Sequence, residues 1–326
     1  MYSKRTRSSY RTYIRRKRLI ISAGVLAVAG IITAASIQLA ERFSGAAKGE
    51  RKELLRLWES GSFDEVYSQS QIALASRPMD YFLLTMRGFS AYQLGISQIN
   101  SLNAERYFDD CVWALRKAFL LKNAANDGRL YYVLGKAYNY KGESYADLSV
   151  KYLEKARDLS YNAADIPEYL GLAYAAMGDY RNSVAAFAEA LGMQGRGEDG
   201  FLKENLPDDH PPGLLLLSIA RSYLALDEFE QARAYLQRCI DVSLDSRTIL
   251  SARLLLSEVL RKLGDNDGAK QPLMDILGEV GEHAEAHYQL GELYALQGDT
   301  VRARAEWRLA VRADPAHLKA RTRLSM

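Results

Sequence analysis

One pattern recurs along most of this chain, and it restricts the fold more than any other feature. Its clearest copy runs from Pro167 to Leu191, PEYLGLAYAAMGDYRNSVAAFAEAL. Leu170-Gly171 is followed by Tyr174, then Gly178-Asp179-Tyr180, then Ser183, Phe187 and Ala190-Leu191. Tyr174 lies four residues after Leu170 and three after Gly171, so it shares a helix face with both. Gly178 ends that helix in a left-handed cap and Asp179 starts the next. Ser183, Phe187 and Ala190 make the facing stripe of the second helix. Gly171, lacking a side chain, lets that helix approach closely.

The same order of residues returns upstream at Leu134-Gly135, Tyr138, Gly142, Leu153 and Ala156. Downstream it returns at Ile219-Ala220 with Tyr223, Phe229 and Leu236, and at Leu256-Ser257 with Gly264 and Leu273. The last full copy is Leu290-Gly291 with Tyr294, Gly298-Asp299, Trp307 and Pro315. A copy with an insertion surrounds Gly88, Gly95, Phe108 and Leu115, and a degenerate one carries Leu54 and Gly61. The pattern resembles the tetratricopeptide repeat, a helix–turn–helix unit of about 34 residues. Successive equivalents Gly88, Gly135, Gly171, Ala220, Ser257 and Gly291 are 47, 36, 49, 37 and 34 residues apart. The two largest excesses place insertions at Ile96–Glu105 and Gly192–Pro212, the second charged and containing Gly and Pro. The resemblance covers residues 50 to 316 and implies an all-α fold. That fold is an α-solenoid of six to seven repeats, closed by a short basic helix over Ala316–Leu324.

Ahead of the repeats lie two segments of a different kind. Residues 1–18 hold eight of the 43 basic residues and no acid, which leaves the rest of the chain at −5. Residues 19–40, LIISAGVLAVAGIITAASIQLA, contain no charge and sixteen apolar side chains. As a helix this segment reaches about 33 Å, enough to cross a bilayer core. The basic flank then holds residues 1–18 in the cytoplasm and sends residues 41–326 to the extracytoplasmic side as a single-pass signal-anchored protein. Two alternatives stand beside this reading. Cleavage after Ala27-Val28-Ala29 or Thr33-Ala34-Ala35 would release a soluble adaptor. The reverse orientation would make a cytosol-facing receptor on an organelle membrane. A mildly acidic body argues against nucleic-acid binding.

No catalytic or cofactor motif is present: G-x-x-x-x-G-K-[ST], G-x-S-x-G and H-E-x-x-H are all missing. His283 and His287 stand i, i+4 and could share a metal, but His287 falls on a packing position, so no metal site is assigned. Cys111 and Cys239 fall on small-residue packing positions and read as buried free thiols.

The resemblance also implies where a partner sits, on the first helices of successive repeats, which line a concave groove. Carried over, this gives Phe82, Met86, Phe89 and Tyr92, then Arg129, Tyr132, Lys136, Asn139 and Tyr140. Tyr169, Arg221 and Arg261 follow, with Glu258, Tyr288 and Glu292 among the later positions. The aromatic first half, with its two cations Arg129 and Lys136, suits a protein or peptide ligand with apolar anchors and an acid. The reading at this point is a membrane-anchored, non-enzymatic scaffold for protein partners, serving envelope assembly or protein export.

Overall fold

The computed structural model describes residues 46–98, 103–122, 124–161, 163–192 and 213–326. The basic tail, the apolar segment 19–40 and nearly all of the 192–212 insertion lie outside the described residues. Among the described residues there is no strand, and no helix is long and apolar enough to cross a membrane.

Among the described residues, fifteen α-helices follow one another. They are α1 Ala46–Glu59, α2 Phe63–Ser76, α3 Tyr81–Ser97, α4 Asn103–Ala118, α5 Gly128–Tyr140, α6 Ala146–Asp158, α7 Ile166–Ala176 and α8 Tyr180–Ala190. After the insertion come α9 Gly213–Ala225, α10 Phe229–Val242, α11 Ser246–Lys262, α12 Lys270–Val280, α13 Ala284–Leu296, α14 Thr300–Ala313 and α15 Leu318–Ser325. The chain divides into two compact units, residues 1–169 and 170–326, with the division inside α7. In each unit, odd- and even-numbered helices pack as pairs, and each pair stacks on the next.

Local chemistry starts and stops these helices. Side chains of Asp80, Asp127, Asp179, Asp245 and Asp299 each accept a backbone N–H two or three residues into the following helix. That N–H has no partner within the helix, so the cap contributes about 1 kcal/mol. At Gly178 the backbone turns left-handed, φ +76°, between α7 and α8. Asp227 takes the same place between α9 and α10 at φ +57°, where a side chain is disfavoured. Pro272 is the third residue of α12, in the first turn, where the hydrogen bond it lacks would have been absent anyway.

Packing within a pair follows from the small residues. A Cβ built on Gly171 would sit 2.5 Å from Phe187 Cδ1, and one on Gly135 would sit 2.7 Å from Leu153 Cγ. The same approach lets Ser183 Oγ donate to Gly171 O at 2.9 Å and Ser149 Oγ to Gly135 O at 2.9 Å. These hydroxyls bridge the helices of a pair at their closest point and are themselves satisfied as buried donors. Tyr138 and Phe89 in the first unit, and Tyr223 and Phe187 in the second, are among the largest fully buried side chains. Each such burial is worth roughly 1.5–3 kcal/mol.

Candidate peptide-binding surface

In the first unit, the odd-numbered helices carry most of the residues expected to meet a ligand. Phe82, Met86, Phe89 and Tyr92 of α3 are all buried. Lys136 of α5 is also buried, and its Nζ lies 5.6, 4.8 and 4.4 Å from the ring centres of Tyr92, Tyr132 and Tyr169. Nζ donates to Asp165 Oδ2 at 2.6 Å and to the Tyr132 hydroxyl oxygen at 3.0 Å. The Tyr132 hydroxyl in turn meets both oxygens of Asp165 at 2.8 Å. Three ring faces and a carboxylate therefore surround one ammonium, an arrangement strengthened by its removal from water. Burial, followed by neighbouring tyrosines, pushes the Tyr92 phenol well above its ordinary value. Burial and Asp165 do the same to Tyr132.

Around this cage Tyr140 stacks on Phe108, with ring centres 4.9 Å apart and planes 3° from parallel. The Tyr140 and Tyr169 hydroxyls share a hydrogen bond of 2.9 Å, and Asn139 Nδ2 donates to Tyr169 O at 3.4 Å. Arg129 stands apart from the cage. Its guanidinium donates twice to Asp127, at 2.8 and 2.6 Å, while Asp127 also accepts the Tyr81 hydroxyl at 2.7 Å. Burial alone would raise the Asp127 carboxyl, but these donors outweigh it and hold the carboxyl low. Both cations expected to read a ligand's acid thus already have a carboxylate of their own chain. What the first unit presents is a wall of mutually satisfied tyrosines.

The second unit differs. Arg221 is exposed on α9, and Arg261 lines a cavity of about 360 Å³ bounded by α11, α13 and α15. Glu258, Tyr288 and Glu292, expected on the inner face, line the same cavity, together with Lys319 and Arg323 of the last helix. Two of its acids are occupied. Glu292 receives Arg323 through two bonds, 2.9 and 2.6 Å. Glu285 pairs with His317 Nε2 at 3.1 Å and accepts Gln289 Nε2 at 3.2 Å. Because His317 Nδ1 accepts the Ala320 N–H, its Nε2 carries the proton toward Glu285. Glu258 and Arg261 have no ion pair among the described residues, and Lys319 has only the face of Tyr288, 5.8 Å away. Gln289 Oε1 is buried with no donor.

The sequence reading did not place Lys319 or Arg323 here. Both belong to the short basic helix expected to close the array, and both side chains line the cavity. The i, i+4 spacing of Lys319 and Arg323 was the available signal, since it sets both on one helix face.

The histidines of HAEAH serve the fold. His283 Nδ1 caps α13 by accepting the Ala286 N–H at 3.2 Å, and His287 Nδ1 meets Glu306 at 2.7 Å. Among the described residues no group of three or more His, Cys, Asp or Glu is placed to hold a metal. Cys111 and Cys239 are buried free thiols, both raised by burial, Cys239 to about 11.

Tetratricopeptide-repeat family models match residues 170–195 and 215–242, which hold α8 with most of α7, and α10 with most of α9. This chain is a tetratricopeptide-repeat protein. No curated protein sequence matches it. Among solved structures, the C-terminal part of a tetratricopeptide-repeat protein from Cytophaga hutchinsonii superposes with a TM-score of 0.58 at 15% identity, covering 84% of this chain and 99% of that one. PilW, a type IV pilus biogenesis factor, superposes with a TM-score of 0.53 at 15% identity, covering 73% of this chain and 98% of its own. YrrB, a tetratricopeptide protein with an unusual peptide-binding site, gives 0.48 at 20% identity, over 65% and 98%. At these identities the likeness concerns the repeat fold itself.

Proposed function

We propose that this tetratricopeptide-repeat protein is a membrane-anchored scaffold. It acts by binding protein or peptide partners, not by catalysis. It holds its repeats on the extracytoplasmic side of the membrane through residues 19–40, in envelope assembly or protein export. The setting is a reading at the level of fold and chain plan. The anchor rests on the uncharged apolar run and its basic flank. The observation that carries the binding role is the α11–α13–α15 cavity, an open concavity on the first helices of the repeats whose side chains are only partly satisfied by one another. Such a cavity, with a few convergent polar groups, is where a ligand gains most.

A photocrosslinking residue placed at Leu296, exposed at the cavity, should trap a partner in intact cells, while the same residue at exposed Arg308 of α14 should not. No adduct from Leu296, or equal adducts from both positions, overturns the binding site. Topology is tested separately with a C-terminal tag in inverted membrane vesicles. Protection of a full-length species supports the anchored extracytoplasmic plan. A soluble species shortened by about 29–35 residues shows signal cleavage instead and removes the anchor.

A further inference from the structure

In the first unit, α4, α6 and the turns beside them carry an exposed aromatic and basic surface, and we infer that this surface lies on an anionic lipid bilayer. The inference rests on the anchored plan just proposed and names what the first unit does at that membrane. Trp113 of α4 is 52% exposed and Leu120, in the turn after it, is 75% exposed, whereas Trp58 and Trp307 are buried. Phe119, half-buried beside Leu120, carries the surface sideways, its ring centre 4.5 Å from Tyr131 and 6.2 Å from Tyr152. From Tyr152 the rings continue through Tyr138, at 5.6 Å, to exposed Tyr145, at 5.9 Å. The surface therefore joins two repeats and is not one stray side chain.

Its charge is positive. Residues 111–126 hold Arg116, Lys117 and Lys122 and no acid. None of the three has a carboxylate among the described residues: Lys117 Nζ lies 4.8 Å over the Trp113 ring, and Arg116 reaches the Tyr138 hydroxyl. Acids at the borders are already paired, Asp109 with Lys141, Asp110 with Arg87 and Asp127 with Arg129. On α6, Asp147, Glu154 and Asp158 balance Lys151, Lys155 and Arg157, and Glu105 and Arg106 cancel at the start of α4. Glu143, two residues from Tyr145, offsets one of the three open cations, so the excess stays positive. Protein interfaces favour Trp, Tyr and Arg but are poor in Lys, and two of these three cations are lysines. Trp and Tyr at headgroup depth, with Lys and Arg reaching lipid phosphates, is the composition of a membrane interface. A lysine stem can lie along apolar surface while its ammonium stays among headgroups. Only residues 41–45 separate the apolar run from α1, and five residues span at most about 18 Å. An anchor at 19–40 therefore holds the first unit close to the bilayer, where even a weak surface contact is populated.

Tryptophan fluorescence of the full chain, reconstituted into vesicles whose acyl chains carry bromine as a quencher, tests this. The vesicles hold phosphatidylethanolamine and phosphatidylglycerol at about 3:1, or phosphatidylcholine alone. Because Trp113 is exposed and the other two tryptophans are buried, the wild-type emission should fall by about a quarter or more in the anionic vesicles, and Trp113→Phe should abolish that fall. The Trp113-dependent quench should drop severalfold in phosphatidylcholine, at raised salt, and in the Arg116→Gln/Lys117→Gln/Lys122→Gln variant. An unchanged circular dichroism melt establishes that this variant is folded. Absence of a Trp113-dependent quench overturns the lipid contact, as does equal quenching in the two lipids or a quench that survives the triple variant. A Trp113 emission that shifts to the blue with protein concentration in detergent, with no quench in vesicles, shows a second copy on the surface and also overturns it. Alkaline carbonate extraction of the same vesicles reads the anchor separately. Retention of the chain without a Trp113-dependent quench keeps the anchor and removes only the lipid contact, whereas release of the full-length chain removes the anchored plan on which the inference rests.

Discussion

Replacing Gly171 by alanine sets two known effects against each other, and the structure decides the sign. In an unconstrained helix interior, alanine is better than glycine by up to about 1 kcal/mol. At Gly171 the new methyl would lie 2.5, 2.6 and 2.8 Å from Cδ1, Cε1 and Cγ of Phe187. Real Cβ atoms do not approach that closely, and Phe187 has nowhere to go, being 1% exposed. Forcing one extra methyl into such a core costs about 1–3 kcal/mol. The approach also holds the Ser183 Oγ to Gly171 O bond, which a helix shift would stretch. The net expectation is a loss of roughly 1–2 kcal/mol.

Gly278 supplies the internal comparison. It lies inside α12 with nothing within 4 Å of a built Cβ, so Gly278→Ala should stabilise by up to about 1 kcal/mol. Equilibrium urea unfolding followed by far-ultraviolet circular dichroism reads both changes as shifts in midpoint. Phe187→Leu in the Gly171→Ala background should recover part of the loss, so the pair is less destabilised than the two single changes summed. If Gly171→Ala raised the midpoint as Gly278→Ala does, the close approach of α7 and α8 would be wrong.

Three further outcomes are expected. Asp227→Gly relieves a left-handed backbone carried by a side chain and should raise stability by up to about 1 kcal/mol in the same unfolding assay; a loss would mean that the aspartate makes a compensating contact. Burial depresses the pKa of His283, whose unprotonated Nδ1 caps α13, so the folded state binds its proton less readily than the unfolded one. Its contribution is complete above the unfolded value of about 6.5 and is lost as the pH falls through the lower folded value. His283→Asn should keep a cap and flatten this part of the stability profile; an unchanged profile would refute the assignment. Tyr67, half-buried and hydrogen-bonded to Asp110, is pushed up to about 12. It stays neutral in the folded chain after an unfolded tyrosine, near 10, has ionised, so its stabilisation is complete below about pH 10 and disappears as pH rises to about 12. Phenolate absorbance should show a late step that Tyr67→Phe removes, and ionisation of Tyr67 with the exposed tyrosines would count against it.

Much of the fold could be read from particular residues. The spacing of Leu170, Gly171 and Tyr174, with Gly178-Asp179 after them, specifies two helices and the turn between them, because helix periodicity, left-handed capping and N-capping are all local. Glycine opposite a large second-helix residue could be read for the same reason, and Gly135 with Leu153, Gly171 with Phe187 and Gly291 with Trp307 all meet as that reading requires. Pro272 and Asp227 were visible as departures, and each is absorbed locally, one by a late helix start and the other by a left-handed aspartate.

The binding surface was much less legible. Inner-face register picks out Arg129, Lys136 and Arg261 alike, since it reports only which side of a helix a residue occupies. Whether a cation is available to a ligand depends on carboxylates that come from other positions. Asp127 takes Arg129 from two residues away, and Asp165 takes Lys136 from the next repeat. Arg323, from the last helix, occupies Glu292 and leaves Arg261 and Lys319 as the cations of the cavity without a carboxylate. The sequence by itself determined the helices, their turns and the face each repeat turns inward, since those depend on neighbours within a few residues. Only the tertiary structure decided which inward charges are already neutralised, because ion pairing depends on distances of a few ångströms between side chains that are far apart in the chain.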